Sequence, residues 1–166
     1  MPNVLDPALY LVATPIGNAR DITLRALDVL RDADHLVAED TRVLRRLLEI
    51  HGIPLAGRSL WAHHDHSGEK AQAGILDLVA AGKSVAYCSD AGTPLIADPG
   101  YELVREAARR DLAVTALPGA TSVAVALSLA GLPTDRFLFA GFLPNAGGPR
   151  KTVLRDLSGV PATLVF

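Results

Sequence analysis

Apolar residues in this chain fall into short unbroken blocks separated by stretches in which they recur every three or four positions. Leu9 to Ala13, His35 to Ala38, Ser59 to Ala62, Val85 to Cys88 and Ala113 to Leu117 are the blocks, and each predicts a strand, the first of them buried. Between them, Ile22, Ala26, Leu30 and Ala33 predict a helix from Asp21 to about Ala33, with Asp21 as its cap. Leu44, Leu47 and Leu48 predict a second, stopped by Gly52 and Pro54. Ile75, Leu78 and Val79 mark a third, capped by Ser67 and ended by Gly82. A fourth runs from Pro99 to about Arg110, with Asp98 as N-cap and Pro99 as its first residue. Strand and helix in strict alternation predict an α/β fold with a parallel sheet.

The pattern changes near the C-terminal end. Val123 to Ala130 is apolar nearly all round and predicts a buried helix. Gly131 to Asp135 reads as a linker, Phe137 to Phe142 as an extended segment, Asn145 to Arg150 as a polar, glycine-rich mobile loop, and Ala162 to Phe166 as a strand with no turn or cap after it. The expectation is an N-terminal α/β domain over residues 1–132 and the beginning of a second α/β domain over 133–166, truncated relative to a two-domain protein.

Composition narrows the class. Of 166 residues, 49% are apolar and 20% charged, which suits a globular chain rather than a disordered one. A net charge of −2 argues against holding nucleic acid by bulk electrostatics, so any polyanion must be gripped locally. The single cysteine, Cys88, lies in an apolar block and reads as a small buried hydrophobe. With no secretory leader or membrane-length apolar run in sight, a cytoplasmic protein is expected.

In a parallel sheet the carboxyl ends of the strands share one edge, where open α/β sheets bind ligands. Four loops are expected there: Thr14 to Asn18, Glu39 to Arg42, Ser89 to Pro94, and Pro118 to Ser122. None carries a G-x-G-x-x-G or a G-x-x-x-x-G-K-[ST] pattern. Glu39, Asp40 and Arg42 bring two carboxylates and a guanidinium to one strand end. They serve either a ligand or only the dipole of the following helix. His63, His64 and His66 flank Asp65, but no second cluster completes a metal site, so no metal is expected. Trp61 beside them reads as core rather than as a stacking platform.

Thr14-Pro15-Ile16-Gly17-Asn18, Glu39-Asp40-Thr41-Arg42, Ser89-Asp90-Ala91-Gly92-Thr93-Pro94 with Ala97-Asp98-Pro99-Gly100, and Pro118-Gly119-Ala120-Thr121-Ser122 occur in order and at fitting separations. Together they resemble the ribosomal RNA small subunit methyltransferase I family, of the tetrapyrrole methylase fold. The resemblance implies an S-adenosylmethionine-dependent, homodimeric enzyme that methylates the 2′-hydroxyl of a cytidine in 16S rRNA of the small ribosomal subunit. It implies donor contacts from Pro15, Gly92, Thr93, Pro94, Ile96, Thr121 and Ser122, and substrate contacts from Arg42, Asp65 and His66. Asp40 is the candidate for orienting or deprotonating the hydroxyl, with Glu39 second. Ser67 stands where the family usually has Asn. Two rival readings remain, a small-molecule methylase acting on a tetrapyrrole and a non-catalytic ligand- or RNA-binding module.

Overall fold

The computed structural model describes residues 4–63, 68–98 and 100–166. These divide into two compact units, residues 1–120 and 121–166. The first holds β1 (Leu9–Val12), α1 (Leu24–Asp32), β2 (His35–Ala38), α2 (Thr41–Ile50), β3 (Leu60–Ala62), α3 (Glu69–Ala80), β4 (Val85–Cys88), α4 (Tyr101–Arg109) and β5 (Val114–Leu117). Its strands form one sheet in the order β3-β2-β4-β1-β5, and every neighbouring pair is parallel.

The period of two along each strand sorts side chains to opposite faces. Tyr10, Val12, Leu36, Ala86 and Cys88 pack with Val29 and Leu30 of α1 and Leu44 and Leu48 of α2. Leu9, Val37, Val85 and Tyr87 pack on the other face with Ile75 and Leu76 of α3 and Leu103 of α4. The sheet is therefore covered on both sides, and that is why β4 is buried at every position.

Helix ends follow local rules, though not always at the expected residue. α1 starts at Leu24 because the Thr23 side chain accepts from the Ala26 amide at 3.2 Å. Asp21 lies in the preceding turn, its amide bonded to Asn18 O, and is not the cap. Helix α2 ends in a Schellman motif: Ile53 N donates to Leu48 O and Gly52 N to Glu49 O, with Gly52 at φ 63°. The same pair of bonds closes α4, where Asp111 rather than glycine takes the left-handed conformation at φ 52°. Helix α4 itself begins after Gly100, at φ 117°, so Asp98 is not its N-cap; Pro99 lies outside the described residues. Gly68, not Ser67, stands at the N-cap of α3, and Ser67 too lies outside the described residues. Trp61 sits on the edge strand β3 and is 36% exposed, a rim residue rather than core.

The second unit holds α5 (Ser122–Ala130), β6 (Phe137–Phe139), α6 (Gly147–Leu157) and β7 (Thr163–Val165), with β6 and β7 paired in parallel. Two expectations fail here. Only Leu127 of α5 is buried and Leu129 is 82% exposed, because a two-stranded sheet and one further helix are too little to surround it. Residues 147–150 form the first turn of α6 instead of a loop. The glycines and Pro149 are tolerated there, since amides in a first helical turn have no intrahelical partner to lose. Among the described residues, no helix is long and apolar enough to cross a membrane.

Candidate functional site

Parallel pairing in the first unit brings the carboxyl ends of β1, β2, β4 and β5 to one edge, and the loops that follow are tied together by hydrogen bonds. Thr14 N donates to Gly92 O at 2.9 Å and Gly92 N to Thr14 O at 3.0 Å, an antiparallel bridge between the loops after β1 and β4. The Thr14 hydroxyl donates to Ser89 O and the Ser89 hydroxyl to Gly92 O. Thr93 Oγ1 donates to Ala120 O at 2.9 Å, which joins the turn after β5 to the same cluster. Gly92 adopts φ 85°, in the left-handed region that glycine occupies without strain. Its amide is therefore bonded within the protein, and not a free donor as a lone glycine loop suggests.

Beyond this knot the loop is strained. Leu95 and Ala97 hold φ of 72° and 57°, conformations that cost roughly 1–3 kcal/mol each and persist where the surroundings impose them. Between these two, Ile96 presents an apolar side chain that is 49% exposed.

The loop after β2 is organised by carboxylates. Asp40 caps α2, accepting from Arg42 N at 2.8 Å, and its two oxygens also accept from Arg42 Nε and Nη2. Those bonds from Arg42 hold its pKa down at about 2. Asp40 N in turn donates to Asp90 Oδ1 at 2.9 Å, and Glu39 N to Cys88 O at 3.3 Å, so the loops after β2 and β4 are also joined. A cleft of about 170 Å³ opens beside them, lined by Thr14, Pro15, Val43, Leu47, Ile50 and Asp90 among others.

Of the predicted site residues, the structure brings together Pro15, Glu39, Asp40, Arg42, Gly92, Thr93, Pro94 and Ile96 on the loops of one sheet edge. Thr121 and Ser122 belong to the second unit, at the N-terminus of α5. Asp65 and His66 lie outside the described residues, as does His64 of the histidine cluster. Cys88 is fully buried and its thiol is pushed up to about 12 by burial, which leaves it inert. Asp90, which ties Asp40 in place, was not a predicted site residue. Its partner is 50 positions away, and no local pattern reports a bond of that separation.

A family model described as tetrapyrrole (corrin/porphyrin) methylases matches residues 8–166. The chain belongs to that family. It is 52% identical over 98% of its length to a Mesorhizobium japonicum protein named ribosomal RNA small subunit methyltransferase I, and covers 54% of it. A protein of the same name from Rickettsia prowazekii is 45% identical over 98% of this chain, which covers 57% of that relative. Among solved structures, the uroporphyrin-III-C-methyltransferase from Thermus thermophilus superposes with a TM-score of 0.59 and 27% identity, over 84% of this chain and 64% of that one. The chain thus spans about half the length of the curated relatives it matches.

Proposed function

We propose that this chain carries the donor-binding half of an S-adenosylmethionine-dependent enzyme that methylates the 2′-hydroxyl of a cytidine in 16S rRNA of the small ribosomal subunit. The observation that carries the reading is the Thr14–Gly92 bridge, which locks two of the family-like loops into one surface at the sheet edge. The names borne by relatives at 45–52% identity supply the acceptor class.

The chemistry of the edge suits a cationic, nucleoside-bearing donor. Gly92, Thr93, Pro94 and Ile96 offer backbone and neutral side chains, and Ile96 adds exposed apolar surface for a flat ring. We assign Pro15, Gly92, Thr93, Pro94, Ile96, Thr121 and Ser122 to the donor. Held there, S-adenosylmethionine would supply an electrophilic methyl group for a ribose oxygen.

The chain's own contribution is positioning. Asp40, clamped by Arg42, is a weak proton acceptor with its pKa near 2, whereas an effective general base titrates near the working pH. Its role is accordingly to orient the hydroxyl, with Glu39 beside it and the proton passing to solvent. Arg42, whose side chain is 89% exposed, meets RNA phosphate, and by the family resemblance we assign Asp65 and His66 to the same substrate. The protein acts in the cytoplasm as a homodimer.

The test compares acceptors. With the chain extended to the length of its relatives and a labelled donor, small-subunit particles should take up methyl groups while porphyrinogens and acceptor-free controls do not. Labelling of a porphyrinogen instead would move the protein to the small-molecule branch of the family. Donor binding without transfer to either would make it a binding module.

A further inference from the structure

We propose that the cleft between the loop after β1 and helix α2 seats the acceptor's nucleobase, and that Asp90 reads an exocyclic amine on it. The proposal rests on the RNA methyltransferase reading above.

Size comes first. At about 170 Å³ the cleft is well below the roughly 300–1,000 Å³ of sites that enclose whole drug-sized ligands. It suits one heterocycle rather than an entire nucleoside donor. Its walls have the matching character: Val43, Leu47 and Ile50 offer apolar surface against which a ring can pack. Val43 and Ile50 are 42% and 50% exposed, so α2 carries solvent-facing apolar side chains beside the very loops that form the site. Enzymes that do chemistry on a base extrude it, stack it between apolar groups and read its pairing edge, and the same seat would hold the base of a nucleotide presenting its ribose.

Asp90 supplies the polar reader. Its Oδ1 is fixed by the Asp40 amide at 2.9 Å, while Oδ2 accepts no hydrogen bond from the described residues. A carboxylate accepts from the amine of cytosine, whereas uracil presents a carbonyl at that position and meets it with like charge density. Recognition of the base and orientation of the hydroxyl are thereby coupled, because Asp90 and Asp40 are one hydrogen bond apart. Arg46, also on the cleft, has a side chain that is 73% exposed and, among the described residues, pairs with the exposed Glu49 at 3.3 Å, so it is available to a flanking phosphate.

The experiment uses the chain at its relatives' length and small-subunit particles carrying either C or U at the nucleotide the wild type methylates. Wild type should prefer C by at least about tenfold in kcat/KM, equivalent to about 1.4 kcal/mol. Asp90→Asn, which presents a donor as well as an acceptor, should bring the two within about threefold. Ile50→Trp, which adds bulk to the cleft wall, should raise KM for the particles by about tenfold while S-adenosylhomocysteine binds as before. A folded Asp90→Asn that keeps the full preference overturns the proposal, as does an Ile50→Trp with unchanged KM. Wild type that methylates neither particle overturns the RNA reading and this proposal with it; wild type that methylates both equally overturns the base seat alone.

Discussion

Gly119 is the position where the smallest change should do most damage. A Cβ added there would lie 2.6 Å from the Cβ of Ala13 and 3.6 Å from its carbonyl oxygen. Carbon atoms in good contact are roughly 3.5–4.0 Å apart, so the overlap is about an ångström. Ala13 is 3% exposed, and its Cβ is fixed to the backbone with no rotamer to swing aside. Relief must come from separating the turn after β5 from the end of β1. Overpacking of this kind costs roughly 1–3 kcal/mol, and at this chain length each kcal/mol lowers Tm by roughly 2–4 °C. Gly119→Ala should therefore melt about 2–12 °C below wild type. The damage should also reach the site, because the neighbouring Ala120 carbonyl is the acceptor for Thr93 Oγ1. Thermal unfolding followed by circular dichroism, with calorimetry of S-adenosylhomocysteine binding, measures both. Ala13→Gly removes the clashing atom at a cost of about 0.5–1 kcal/mol, so the double variant should be more stable than Gly119→Ala alone, with a coupling energy of about 0.5–3 kcal/mol. A Gly119→Ala protein that melts with wild type, or a double variant that loses the sum of the two single effects, would refute the close approach of these loops.

Three further outcomes follow from the same geometry. Gly92→Val has room for its Cβ, 3.4 Å from Ile16 Cγ2, but not for its φ of 85°, so the Thr14 bridge should distort and S-adenosylhomocysteine affinity fall at least about tenfold; calorimetry on the folded variant with unchanged affinity would count against the donor loop. Asp40→Asn keeps an N-cap-competent side chain and, by misplacing the hydroxyl, should lower the single-turnover methylation rate by about a hundredfold with donor affinity unmoved, whereas a normal rate would leave Asp40 only its capping role. Arg42 holds Asp40 at about 2, and the Ser84 amide holds Asp34 below the ordinary carboxylate range. Because both folded values lie below the unfolded value of about 3.9, their stabilisation is present above about pH 4 and is lost as pH falls toward 2. Urea midpoints should be flat from pH 7 to about 5 and then decline, and Asp34→Asn should flatten part of that decline.

What the sequence reveals here depends on how local the cause is. Val85 to Cys88 is legible as a strand because all four residues are buried, and the apolar blocks of β1 and β2 because three of four are. Alternation with helices then implies parallel pairing and a shared loop edge. Caps are less legible. Asp21 and Thr23 are both good candidates, and the choice falls to the residue whose oxygen reaches the Ala26 amide; Gly100 displaces Asp98 through a backbone angle that no residue pattern displays. Helix α6 is hidden because Gly147, Gly148 and Pro149 read as breakers, although at a first turn they break nothing. The loop motifs identify which segments matter, but the bonds between them span 27 positions (Thr93 to Ala120) to 78 (Thr14 to Gly92). Thr14 to Ser89, Thr93 to Ala120 and Asp40 to Asp90 arise from the β3-β2-β4-β1-β5 order, which brings distant loops side by side.

The position of the transferred methyl group tests the central claim most directly. Small-subunit particles methylated with a labelled donor by the chain at its relatives' length would be digested to nucleosides and separated by chromatography. The proposed function predicts label in 2′-O-methylcytidine and in no other nucleoside. Label on a base carbon or nitrogen, or on the ribose of a different nucleoside, would contradict it.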